Sequence, residues 1–68
     1  MNNGQRPEAM RRLVQDHYPV VYRFAFRMSG CVADAEDLAQ QTFLTAWRKL
    51  DQLRSPERAR SWLLSIVR

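Results

Sequence analysis

The chain has 68 residues, a formal net charge of +4 at pH 7 and 46% hydrophobic residues. This length gives one domain, residues 1–68, with a small core, and the apolar content excludes a wholly disordered chain. A single cysteine and a single histidine exclude an intramolecular disulfide and the usual structural zinc cages. The apolar runs are too short for membrane insertion, and residues 1–6, predicted to be disordered, contain no apolar signal segment, so the sequence predicts a cytoplasmic protein.

Charge is distributed unevenly along the chain. Residues 1–30 carry five arginines against two acids, a net of +3, and residues 54–68 carry four arginines against one acid, also +3. Residues 31–53 carry four acids against two bases, a net of −2. Basic ends beside an acidic middle indicate two surfaces with different partners, and nucleic acid is a natural partner for the basic one. An unevenly charged, solvated surface is the alternative that charge alone leaves open.

The sequence predicts an all-α fold, a small three-helix bundle, because helical spacing recurs and no alternating strand pattern occurs. The first helix is predicted to begin near Pro7 and to end at Gly30. Pro19 removes an amide donor within it, which predicts a helix that is kinked or split near that residue. Its predicted buried seam has apolar and semi-polar residues three and four apart: Met10, Val14, His17, Val21, Phe24 and Met28.

The second and third helices have recognisable start signals. Asp34 is predicted to cap the second helix by accepting a hydrogen bond from the amide of Asp37. The predicted buried face of this helix comprises Ala35, Leu38, Ala39, Thr42, Phe43, Ala46 and Leu50. Ser55 followed by Pro56 predicts the start of the third helix. Its predicted buried residues are Ala59, Trp62, Leu63 and Ile66. No stop signal precedes Arg68, so we expect a fragment that ends within this helix.

Few residues could support catalysis. His17 lies on the apolar seam, where a structural histidine is more common than a catalytic one. Cys31 lies in a loop without a neighbouring histidine, and such a cysteine is more often inert than nucleophilic. Glu36 and Asp37 are adjacent, so on a helix they point about 100° apart and form no facing pair. The sequence therefore predicts neither an enzyme nor a metal or cofactor site.

One face of the second helix carries polar residues around a single leucine. This face lies opposite the buried stripe, with Leu44 near its middle and Trp47 at its border. An apolar side chain inside a polar rim is typical of a docking site, but single exposed leucines are also common on monomers. Both interpretations stay open from the pattern alone. The residues of this face are Asp37, Gln40, Gln41, Leu44 and Arg48.

Arginines are concentrated after position 53. Side chains of this type contact phosphates without reading base sequence. Trp62 could stack on an unpaired base, although its helical register with Leu63 and Ile66 favours a core position. The candidate DNA-binding residues are Arg54, Arg58, Arg60 and Arg68.

Two segments of the chain resemble a known family. Residues 21–30 (VYRFAFRMSG) and residues 34–47 (DAEDLAQQTFLTAW) resemble region 2 of bacterial sigma factors, and most of all the extracytoplasmic-function (ECF) branch of the sigma-70 family. Residues 59–68 (ARSWLLSIVR) are similar to the start of the promoter-recognition helix of that region. The resemblance covers nearly all of residues 17–68.

The resemblance implies two binding surfaces. The second helix would bind the clamp helices of the largest catalytic subunit of RNA polymerase through the face that contains Leu44. Residues 51–58 would correspond to the loop that captures a flipped base of the −10 promoter element, and the third helix would lie along the non-template strand. The four arginines after position 53 would be the DNA contacts. A full-length sigma factor of this branch is typically held by an anti-sigma factor, which is a further expected partner.

The chain departs from the family pattern in three ways. The family usually has Gln-Glu where this chain has Gln40 and Gln41, which removes a negative charge from the proposed polymerase face. In the family the promoter helix continues past the position of Arg68, and a second domain reads the −35 element, so we do not expect full promoter recognition. The alternative function is a helical protein-interaction module that binds, for example, an anti-sigma factor without promoter activity of its own.

Overall fold

The computed structural model describes residues 3–68. Three α-helices follow in chain order: α1 (Arg6–Ser29), α2 (Val32–Arg48) and α3 (Ala59–Val67). Short 3-10 turns at Leu50–Gln52 and Pro56–Arg58 connect α2 to α3, and a third turn at Asn3–Gln5 precedes α1. Each helix packs against the other two. The predicted all-α fold of three helices is confirmed.

Helix α1 runs without interruption past its internal proline. Pro7 occupies its first turn, as the sequence predicts, and Pro19 lies inside it. Pro19 and Gln15 are both exposed. Water can reach this exposed side of the helix and can replace the amide donor that the proline lacks. For this reason the proline is tolerated and the helix is not split.

The start of the described chain contacts the end of α2 and the turn after it through Arg6. Residues 1 and 2, part of the segment predicted to be disordered, lie outside the described residues. Of the rest of that segment, residues 3–5 form a 3-10 turn and Arg6 begins α1. The side chain of Arg6 binds Asp51 and the backbone of Trp47.

Gly30 ends α1 and joins it to α2. Its φ of 77° lies in the left-handed region, and its amide donates to the carbonyl of Phe26 at 2.7 Å. This geometry confirms the predicted glycine cap. A Cβ at this position would meet no atom within 4 Å, so only the backbone conformation opposes a side chain here.

Replacing Gly30 with Ala is expected to lower the free energy of unfolding by about 1–2 kcal/mol, the cost of a left-handed conformation for an L-residue. Urea-induced unfolding followed by circular dichroism measures this change. Gly4→Ala is the matched control, because Gly4 has no positive φ, and we expect it to change the unfolding midpoint little. Equal midpoints for the two variants would contradict the backbone explanation.

Helix α2 begins earlier than the sequence predicts, and its cap is a cysteine. Cys31 is extended (φ −144°, ψ 151°), and its Sγ accepts a hydrogen bond from the amide of Asp34 at 3.4 Å. The prediction that Asp34 caps the helix is wrong, because the chain already turns at Gly30 and the helix begins at Val32. Asp34 lies in the first turn, where its charge still complements the helix dipole.

The core lies where the three helices meet. The main cluster of buried residues contains Leu13, Val21, Ala39, Phe43, Ala46, Leu50, Ala59 and Leu63. A smaller cluster contains Ala25, Ala35 and Val67. Of the residues predicted to form the buried face of α2, Leu38 is half-buried and the others are buried, but Leu50 lies in the 3-10 turn that follows the helix.

The predicted seam of α1 is partly wrong. Val21 is buried as predicted, but Met28 is exposed, and the pattern omitted the buried residues Leu13 and Ala25. Helix α1 packs against both α2 and α3, so its buried stripe is wider than one line of residues at alternating spacing. Met28 lies one turn beyond Ala25, which packs with Val67 near the end of α3.

Helix α3 starts through a 3-10 turn, without the predicted serine cap. The Ser55 hydroxyl donates to the carboxylate of Glu57 at 2.6 Å and makes no capping bond, while the Ser55 carbonyl accepts from the amide of Arg58 at 3.1 Å. Of the predicted core residues, Ala59 and Leu63 are buried, whereas Trp62 and Ile66 are half-buried against the main cluster. Val67, which the sequence pattern does not predict to be buried, is also buried.

Candidate functional site

The outer face of α2 is exposed along its whole length. All five residues predicted to form it, Asp37, Gln40, Gln41, Leu44 and Arg48, are exposed. Asp37 and Gln41 lie one turn apart, and the amide of Gln41 donates to the carboxylate of Asp37 at 3.2 Å. One oxygen of Asp37 is thus bound within the helix, while the other is open to a partner.

Leu44 is the apolar centre of this face. Its side chain is 54% exposed, and Trp47, one turn further along, is 39% exposed. Gln40, Gln41 and Arg48 lie three or four residues from Leu44, so they surround it on the helix surface. The arrangement is an apolar patch with a polar rim, as at the centre of many protein interfaces.

A groove between α1 and α2 extends this face. Leu44, Trp47, Gln40 and Asp37 line it from α2, together with Ala33, Glu36 and Phe43. Met10, Val14 and Tyr18 line it from α1. Sequence reasoning assigned Met10 and Val14 to the buried seam and did not single out Tyr18. Gln41 and Arg48, the other two predicted residues, do not line it. The candidate docking surface therefore includes both helices, and we call the part lined by these residues the α1–α2 groove.

Stacked aromatic rings fix the α1 side of this groove. The ring of Tyr18 stacks on Phe43 of α2, with centroids 5.9 Å apart, and on Tyr22, with centroids 6.1 Å apart. Phe26 continues the row at 6.4 Å from Tyr22. These three residues of α1 are spaced four apart, a signal in the sequence that could have indicated a stripe beside the core.

Arg6 joins the start of α1 to the end of α2. Its guanidinium donates to the carboxylate of Asp51 at 2.9 Å and to the carbonyl of Trp47 at 2.6 Å. The same group lies over the Trp47 ring, 5.2 Å from its centroid. No local sequence signal indicates these contacts, because Arg6 lies more than forty positions from both partners.

The four candidate DNA-binding arginines are exposed, but they differ in their contacts. Within residues 3–68, Arg54, Arg58 and Arg60 have no ion-pair partner, so their guanidinium groups can bind phosphates. The guanidinium of Arg68 instead lies over the ring of Phe24, 5.6 Å from its centroid. The structure thus separates Arg68, which is stacked on α1, from the three unpaired arginines nearer the start of α3.

A second groove lies between the first half of α1 and the connection that leads to α3. Leu53, Arg54, Ser55 and Pro56 line it from the connection. Its α1 side includes Arg12, Asp16 and His17. His17, predicted to lie on the buried seam of α1, is half-buried and lines this polar groove. Residues 53–56, part of the loop expected to capture a flipped base, line one side of this groove.

Other kinds of site have little support in the described chain. Among residues 3–68, no group of three histidine, cysteine or acidic side chains could hold a metal ion. Cys31 is an exposed free thiol whose sulfur accepts the capping bond of α2. None of the helices described is both long and apolar enough to span a bilayer.

Several known proteins with similar sequences are RNA polymerase sigma factors. The chain is 40% identical over 60 residues to the ECF RNA polymerase sigma factor SigL of Mycobacterium tuberculosis, an alignment that covers 87% of this chain and 34% of SigL. It is 43% identical over 55 residues to the ECF RNA polymerase sigma factor SigE of Mycolicibacterium smegmatis, covering 81% of this chain and 21% of SigE. The probable RNA polymerase sigma factor RfaY of Xanthomonas campestris is 38% identical over 61 residues, covering 90% of this chain and 15% of RfaY.

The family match covers most of the chain. The family model for sigma-70 region 2 matches residues 13–68. The chain spans about a third of the length of SigL, and no solved structure gives a significant match. Sigma factors are transcription initiation factors and not enzymes, which confirms the prediction of a non-enzymatic protein. The chain belongs to the sigma-70 region 2 family, in its ECF branch.

Proposed function

We propose that this chain acts in bacterial transcription initiation as the sigma region 2 module that binds the RNA polymerase core. Its partner surface on the polymerase is the pair of clamp helices of the largest catalytic subunit, and its own surface is the α1–α2 groove. The observation that carries this proposal is the exposure of Leu44 within a polar rim on the outer face of α2. The test is binding of the chain to purified polymerase core, with and without a charge at position 44.

The charges and shape of the groove support a helical, partly basic partner. Glu36 and Asp37 lie at one end of the groove, and Leu44 and Trp47 lie toward the other. A partner helix with basic side chains near the acidic end and apolar side chains near Leu44 would complement both. Gln41 lies on the exposed face of α2 outside the groove lining and stands where the family usually has glutamate, so that face has one negative charge fewer.

The proposed DNA surface is the connection after α2 together with the start of α3. Arg54, Arg58 and Arg60 are exposed and unpaired within residues 3–68, and the connection forms one wall of the second groove. Holding a base outside the stack costs a few kcal/mol, which phosphate contacts and a pocket can offset. We propose that this surface binds the non-template strand of the −10 element, with Arg68 contributing only if it leaves Phe24.

Two further features belong to the proposal. Sigma factors act on RNA polymerase, so the proposed place of action is the cytoplasm. An anti-sigma factor is a proposed partner that would compete for the exposed surface of the module. If a folded chain failed to bind polymerase core, the interaction-module alternative would be favoured, and an anti-sigma protein would be the next partner to test.

The DNA surface leads to a salt-dependence prediction. Replacing both Arg58 and Arg60 with Gln is expected to weaken binding to single-stranded DNA and to reduce the slope of log K against log salt by about 1.4, or about 0.7 per lost phosphate contact. Fluorescence anisotropy with a labelled mixed-sequence oligonucleotide, titrated at several salt concentrations, measures both quantities.

The matched control replaces Arg23 and Arg27, two exposed arginines of α1, with Gln. It removes the same charge from a different surface, so we expect a smaller change in slope. Equal slopes for the two double variants would show that overall charge, and not the proposed surface, accounts for binding. A chain that did not bind DNA even at low salt would favour the interaction-module alternative.

A further inference from the structure

Arg6 makes three contacts with one short stretch of chain at the end of α2. It bonds to the Trp47 carbonyl, pairs with Asp51 in the following turn and lies over the Trp47 ring. Only 17% of its side chain is exposed, although it lies at the first position of α1. An arginine so covered is held in one arrangement, which distinguishes it from the other arginines of α1.

The bond to the Trp47 carbonyl serves the end of α2. Trp47 is among the last four residues of that helix, whose carbonyls have no partner within the helix. The amide of Lys49 donates to the carbonyl of Thr45. The guanidinium of Arg6 donates to the carbonyl of Trp47. The guanidinium therefore fixes the last turn of α2 from outside the helix.

The contact with the ring then limits the orientation of the indole. One face of Trp47 is covered by the guanidinium, and the side chain also lines the α1–α2 groove beside Leu44. A cation over an indole face is a favourable arrangement, and arginine stems also cover apolar surface. Trp47 is thereby held at the edge of the groove before any partner arrives.

We propose that Arg6 is a positioning residue that preorganises Trp47 as an aromatic contact for the partner bound in the α1–α2 groove. The inference rests on the proposed function, since the partner is taken to be RNA polymerase core. Tryptophan is enriched among the residues that dominate binding energy. A side chain that is already ordered in the free protein loses little further conformational entropy on binding. Without Arg6, Trp47 would have to be ordered when the partner binds, so binding should weaken about three- to ten-fold.

The first readout concerns the free protein and does not depend on the polymerase. The chain has two tryptophans, so a Trp62→Phe background leaves Trp47 as the only one. In that background Arg6→Ala is expected to raise acrylamide quenching of Trp47 fluorescence roughly two-fold, because the covered ring face becomes open to solvent. Arg6→Lys should give an intermediate value, since an ammonium keeps the charge but not the planar fork that reaches both acceptors.

The second readout is the affinity for RNA polymerase core, measured with the same variants by biolayer interferometry. We expect Arg6→Ala to raise Kd about three- to ten-fold and Arg6→Lys to raise it less. Arg11→Ala is the matched control, because it removes the same charge and because, within residues 3–68, the ion-pair partner of Arg11 is Glu8 on its own helix. Circular dichroism verifies that each variant is folded at the assay temperature.

The results separate this inference from the proposed function. Increased quenching and weakened binding in Arg6→Ala, with neither change in Arg11→Ala, would support it. Unchanged quenching in a folded Arg6→Ala variant would overturn it, whatever the polymerase does. Increased quenching with unchanged affinity would also overturn it, because Trp47 would then not contribute as a preorganised contact. If the unsubstituted chain did not bind core at all, the proposed function would fail, while the quenching data would still decide whether Arg6 positions Trp47.

Discussion

Replacing Leu44 with Asp is expected to weaken binding of the chain to RNA polymerase core by about 100-fold or more. Leu44 lies at the centre of the exposed face of α2, and central apolar residues of an interface contribute most to affinity. The substitution removes that apolar contact and places a charge without a partner in a dehydrated interface. Titration calorimetry with purified core measures the change.

The control for this experiment is Val32→Asp on the same helix. Val32 is 55% exposed, almost the same as Leu44, but it does not line the α1–α2 groove. It also lies at the first position of α2, where an acidic residue is favoured by the helix dipole. We expect Val32→Asp to bind core as the unsubstituted chain does. Equal affinities for Val32→Asp and Leu44→Asp would show that the assigned docking face is wrong.

Replacing Leu63 with Ala is expected to lower the free energy of unfolding by about 2–5 kcal/mol. Leu63 is fully buried in the main cluster, where α3 packs on α1 and α2, so its removal leaves a cavity. The total stability of a domain of this size is on the order of 3–10 kcal/mol, so the loss is a large fraction of it and should move the unfolding midpoint to a clearly lower urea concentration. Urea-induced unfolding followed by circular dichroism measures the loss.

The adjacent Leu64 provides the matched comparison. It is half-buried against the smaller cluster, so Leu64→Ala removes the same atoms from a site that solvent can partly fill. We expect it to cost about 1 kcal/mol, which is clearly less than the cost of Leu63→Ala. If the two variants unfolded at the same urea concentration, the assignment of Leu63 as buried and Leu64 as half-buried would be wrong.

The features that the sequence predicts well are those that depend on neighbouring residues. The two faces of α2 follow from apolar residues that recur three or four positions apart, and the exposed position of Leu44 follows from the same spacing. The end of α1 follows from Gly30, since few other residues adopt a positive φ. The predicted start of α2 is wrong because the side chain of Asp34 is a stronger cap than that of Cys31. Only the extended backbone of Cys31 shows that this residue is the cap.

The features that the sequence does not predict depend on how the helices meet. The seam of α1 was mispredicted because this helix packs on two neighbours, so no single line of residues describes its buried side. The groove depends on Tyr18 stacking with Phe43, and these rings are far apart in the chain. The Arg6 contact with Trp47 likewise spans 41 positions, and neither residue carries a local signal for the other.

The most direct test of the proposed docking surface is site-specific photo-crosslinking from position 44. A chain with benzoylphenylalanine in place of Leu44 is mixed with RNA polymerase core, irradiated and analysed by mass spectrometry, with position 32 as the parallel site. We predict crosslinks from position 44 to the clamp helices of the largest subunit and essentially none from position 32. Crosslinks from position 32 alone, or none from position 44 in a chain that binds core, would contradict the assignment of the α1–α2 groove as the polymerase surface.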